Sequence, residues 1–165
     1  MIKPDWVKRM NRGAIVFACA NPTPEIWPHD ALDAGARIVG TALSRYPNQI
    51  NNSLVFPAVF RGTLDVRART ISSEMQIAAA QKLARYAADR GLHEGSIVPR
   101  MDEWEAYIDV AVATALKAQE QGLAQLTRTP EQLHQGAVKI ISDARQATRL
   151  LMREGIIYSR DADSR

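Results

Sequence analysis

The chain has 165 residues, 46% of them hydrophobic, with 21 basic and 18 acidic side chains and a formal net charge of +3. That is enough apolar material for one moderate core. The basic excess is dispersed apart from Lys3, Lys8, Arg9 and Arg12, with no stacking aromatics beside it, so a nucleic-acid surface is not indicated.

The first dozen residues, with Trp6, Val7 and Met10 spaced as an amphipathic turn, predict a short helix feeding a strand. Ala14 to Ala20 is an almost unbroken apolar run, as in a parallel strand covered on both faces, and the lone Cys19 inside it reads as a small buried hydrophobe without a disulfide partner. Proline tolerates a first helical turn, so the next helix is expected from Pro28 to Gly35. Arg37 to Thr41 follows as a second parallel strand, making a βαβ unit.

The rest reads as helical. Asn51 or Asn52 is placed as the cap of a helix reaching about Ala68, with a bend predicted at Pro57 and Gly62. Ser72 opens a helix stopped by Gly91, and Ile97-Val98 is a possible third strand. Asp102 with Glu105 suggests a capping box, and helical period continues from Trp104 to Gly122. Thr129, Pro130 and Gln132 mark another start, whose apolar stripe runs from Leu133 to Leu151. The fold class expected is therefore α/β: an incomplete Rossmann-like domain of two to three parallel strands followed by a helical C-terminal region over residues 1–158, with a disordered polar tail at 159–165. The tryptophans are expected as packing anchors, and Glu103, Glu105 and Asp109 as a solvated helix face. His29, His93 and His134 are too scattered to suggest a metal site. With no signal peptide or membrane-length apolar segment apparent, the expectation is a cytoplasmic protein without membrane contact.

Several runs carry a resemblance: Ile15 to Ile26, including Asn21-Pro22-Thr23-Pro24-Glu25; Tyr46 to Arg67, including Asn51-Asn52; Glu74-Met75 with Ala78-Ala79-Ala80; and Leu150 to Gly155. Together they resemble the back part of the NAD(P)-binding domain of the malic enzymes. The resemblance implies oxidative decarboxylation of malate to pyruvate and carbon dioxide, with NAD or NADP as cofactor and magnesium or manganese as Lewis acid. The chain lacks a Gly-x-Gly-x-x-Gly run and the family's catalytic lysine, tyrosine and clustered metal carboxylates. It is therefore expected to be a truncated or split malic enzyme, inactive alone, that forms a homo-oligomer or joins a separately encoded N-terminal half. A non-catalytic protein that associates with itself or with an intact malic enzyme is the alternative, and a fragment without a role is a third.

No residue is assigned a catalytic or metal-binding role. The resemblance implies substrate binding by Asn21, Asn51 and Asn52 and cofactor contact by Asn21. Physically, an amide offers donors and an acceptor to a carboxylate or carboxamide, and a helix opened by Asn51-Asn52 would aim free N–H groups at an anion. The bland readings are a turn at Asn21-Pro22 and an ordinary cap at Asn51. Beside the site the family reads Thr-Gly-Arg-Ser-Asp, whereas here Thr41-Ala42-Leu43-Ser44-Arg45 removes one basic residue and reverses a charge. Ala58 likewise stands where the family has glycine, and is expected to crowd a helix contact.

Overall fold

A computed structural model describes residues 1–158; the expected tail at 159–165 lies outside the described residues. The elements are α1 (Pro4–Lys8), β1 (Ile15–Ala18), α2 (Pro28–Asp33), β2 (Ile38–Thr41), a 3₁₀ turn (Asn52–Leu54), α3 (Phe56–Asp65), α4 (Ser73–Asp89), α5 (Glu105–Glu120) and α6 (Pro130–Arg153). Two parallel strands and a mainly helical remainder make this a partial Rossmann-like α/β fold.

β1 and β2 pair in parallel with Ile15 opposite Ile38 and Ala18 opposite Thr41. Val16, Ala18 and Val39 point to one face, where they pack with Val7, Ile26, Ala31, Ala34 and Ala36. The opposite face departs from expectation. Ile15 and Phe17 are 53% and 51% exposed, so β1 alternates rather than being covered twice. Over β2, a Cβ on Gly40 would lie 2.6 Å from Ile50 Cγ1 and 2.9 Å from Phe17 Cδ1, so only glycine admits both side chains there. Cys19 is exposed, because the strand ends at Ala18 and the chain turns away before it.

The helical body is built around α5. Its small residues Ala111, Thr114, Ala115 and Ala118 are buried, which allows α3 and α4 to approach closely. Gly62 sits at the tightest point: a Cβ there would be 2.2 Å from the Ala111 carbonyl oxygen. Gly62 therefore marks a helix crossing within α3, not the expected bend. Ala58 does not crowd this contact, since it shares a buried cluster with Ala79, Val110 and Ala111.

Other boundaries were corrected by side-chain competition. Pro57 lies in the first turn of α3, which begins after a break at Val55, so no continuous helix runs from Asn51. The capping box at Asp102 does not form: its carboxylate accepts from Arg100 Nε at 3.0 Å, the Glu103 carboxylate accepts from the Arg100 amide, and α5 starts at Glu105. Arg90 Nε also lies 2.9 Å from Glu103 Oε2, so that residue is an ion-pair member, not part of a solvated face. Asp109 also pairs, with Lys82 at 3.3 Å. Ile97-Val98 is not a strand; an isolated bridge joins His93 to Ser96 instead. Trp6 is 49% exposed, no packing anchor. Thr129 and Gln132, by contrast, form both halves of a capping box at α6.

Candidate functional site

Parallel strands send their following loops out of one sheet edge, here the edge beyond Ala18 and Thr41. The loop after β1 carries Asn21, which is exposed, before a cis peptide bond to Pro22. This loop is held from within. The Glu25 carboxylate accepts the Ala20 N–H at 3.0 Å, while the Glu25 carbonyl accepts the Ile2 N–H at 2.7 Å. The first of these hydrogen bonds, from Ala20, holds the Glu25 carboxyl below its ordinary value of 4.5.

The loop after β2 turns back and runs beside the strand end. Thr41 N–H donates to the Asn48 carbonyl at 3.1 Å, and Ile50 N–H donates to the Thr41 carbonyl at 2.7 Å. Asn51 therefore lies one residue beyond the end of the sheet. Its Oδ1 accepts from Ser53 N at 3.0 Å and from Ser53 Oγ at 2.7 Å, which makes it the cap of the 3₁₀ turn. Asn52 opens that turn and is exposed. The side chains of Asn21 and Asn52 make no hydrogen bond within the described residues. The dipole argument for the pair is corrected: a three-residue 3₁₀ turn stands where a long helix was expected, so its macrodipole is small.

Sequence reasoning passed over Asn48. It is buried with φ of 54°, a conformation in which Asn is several-fold enriched. Its Nδ2 donates to the carbonyls of Val39 at 3.1 Å and Glu94 at 2.7 Å, and its Oδ1 accepts from Ile97 N at 2.9 Å. One side chain thereby fastens the strand loop to the segment between α4 and α5. Arg37 reinforces this join through Nε at 2.7 Å from Glu94. The available signal was an asparagine directly after proline in Tyr46-Pro47-Asn48, a turn pair with αL tolerance.

The residues present do not fit a dinucleotide cradle. The loop joining β1 to α2, where a Rossmann unit would hold a pyrophosphate, contains no glycine. Among the described residues, no group of three or more His, Cys, Asp or Glu side chains could hold a metal ion. Nor is any helix long and apolar enough to cross a membrane.

A parallel strand pair with polar amides in the loops at its C-terminal edge, backed by a helical body, defines part of a dinucleotide-binding-type domain. Residues 4–120 match the family described as malic enzyme, NAD binding domain. The chain belongs to that family. It is 43% identical over 136 residues to the bifunctional malic/malolactic enzyme of Bacillus subtilis, covering 82% of this chain and 33% of that protein. Against the NAD-dependent malic enzyme of Geobacillus stearothermophilus it is 42% identical over 130 residues, 79% of this chain and 27% of the relative. The crystal structure of Entamoeba histolytica malic enzyme superposes with a TM-score of 0.93 at 41% identity, covering 95% of this chain and 32% of that one. The chain thus spans about a third or less of the length of these relatives. The family includes both NAD-dependent and NADP-dependent malic enzymes.

Proposed function

We propose that this chain supplies the amide-bearing side of a malic-enzyme active site. The reading is carried by one observation: in a chain of this family, Asn21 and the Asn51-Asn52 pair follow the same edge of the parallel pair, and two of the three amides are unengaged. Asn21 and Asn52 are the first choices for contacting a malate or pyruvate carboxylate, and Asn21 for contacting the nicotinamide carboxamide. Asn51 comes next, since its Oδ1 is committed to Ser53 while its Nδ2 remains a donor. The dinucleotide loop, the lysine and tyrosine, and the carboxylates for magnesium or manganese come from polypeptide outside these 165 residues. The chain alone is inactive and binds NAD or NADP weakly at most.

The test is to combine the chain with the front portion of the Bacillus subtilis relative and compare wild type with Asn21→Ala and Asn52→Ala. Each substitution is expected to lower malate-dependent kcat/KM by tenfold or more, about 1.4 kcal/mol, while leaving assembly unchanged. Unchanged kcat/KM in both variants would remove the proposed role of these amides.

A second reading draws on the exposure of Ile15 and Phe17 on β1. An uncovered apolar strand face suits association without catalysis, with itself or with an intact malic enzyme. Assembly with no malate-dependent turnover in the mixture would favour it.

A further inference from the structure

A cleft of about 760 Å³ opens between the loop at 44–49 and the segment at 95–102. Asn48 ties its two walls together, through the Glu94 carbonyl and the Ile97 N–H. Two guanidiniums line it. Arg100 is neutralised by Asp102, with Nε and NH2 at 3.0 and 3.4 Å from the carboxylate oxygens. Arg45 has no carboxylate partner among the described residues. Its guanidinium carbon instead lies 5.4 Å from the Trp27 ring centre and 5.5 Å from that of Tyr46. With Asp102 paired, the lining keeps one uncompensated positive charge, and Ser44 and Ser96 are among its lining residues.

Stacking on two rings restricts an otherwise mobile side chain, so less rotamer freedom is lost when it binds a ligand. A planar fork held in this way matches two oxygens of a carboxylate or phosphate. The backbone N–H groups of Ser44 and Arg45 also donate to no acceptor within the described residues. We infer that this cleft binds a small oxyanion, a phosphate or a carboxylate, with Arg45 as its fixed cation. One wall comes within a hydrogen bond of the Asn51 turn, through Ser53 Oγ donating to Met101 Sδ at 3.4 Å, but Asn21, Asn51 and Asn52 do not line the cleft and are not needed for the anion contact.

The test uses the full chain alone. Inorganic phosphate and succinate are titrated in parallel at constant ionic strength set by chloride, following the Trp27 indole N–H resonance. The expected result is a saturable shift with a Kd on the order of 1 mM for at least one of the two, the scale a few polar contacts supply. Comparison of the arms separates phosphate from dicarboxylate recognition. Arg45→Gln should weaken binding at least tenfold, whereas Arg85→Gln, an exposed guanidinium paired with Asp89 on α4 and outside the cleft lining, should leave it unchanged. The inference is overturned if neither anion saturates the shift, if chloride reproduces it, or if Arg45→Gln binds as wild type does.

Discussion

Asn48 joins the loop after β2 to the segment between α4 and α5 with three side-chain hydrogen bonds. Asn48→Ala leaves the Val39 and Glu94 carbonyls and the Ile97 N–H without their partner. The Val39 carbonyl is the buried one of the three and costs about 1–3 kcal/mol when orphaned, so urea unfolding should show a loss of about 1–3 kcal/mol, whereas Asn52→Ala at an exposed position should change stability by less than about 0.5 kcal/mol. Gly62→Ala places a Cβ on the Ala111 carbonyl oxygen and should cost about 1–3 kcal/mol by the same measurement, because backbone cannot give way as a side chain tip does. Glu25 adds a pH dependence. Its folded carboxyl titrates below 4.5, so its stabilising contribution is present above that value and is lost as pH falls through it toward the folded value. Unfolding between pH 6 and pH 3 should therefore show a shallower acid decline for Glu25→Gln than for wild type. Of these residues, the sequence made Glu25 visible only within a quoted run and left Asn48 unremarked, because a long-range hydrogen bond from residue 48 to 94 and 97 has no local pattern.

At the scale of elements, starts written in short-range chemistry were legible and starts decided by competition were not. Ser72 accepts from Met75 N at 3.1 Å, and the Thr129 box forms in full. Thr129→Ala should destabilise the fold by about 1 kcal/mol, read as a lower thermal midpoint with the helical signal before the transition unchanged. The Asp102 box failed because Arg100, two residues away, captured its carboxylate first. The helix expected from Asn51 failed because a proline six residues on moved the true start to Phe56. Periodicity placed the α6 stripe well, yet it could not show where the stripe stops being covered: Leu133 and Ala137 are buried, but Ile140 is 43% and Leu150 47% exposed.

At the scale of the molecule, a chain belonging to the malic enzyme family folds its own portion into three apolar clusters and leaves one strand face open. The family, the parallel pair and the helical remainder were legible in the dispersed runs from Ile15 to Gly155. The openness of β1 was not, because an apolar run looks the same whether its cover lies within the chain or beyond it. The amides and the open face together support the account that other polypeptide completes the site. Its most direct test is malate-dependent reduction of NAD and of NADP, with magnesium or manganese, by the purified chain alone and after mixing with the front portion of a relative. The account predicts no turnover by either part alone and turnover by the mixture. Turnover by this chain alone, or none by a mixture shown to assemble, would contradict it.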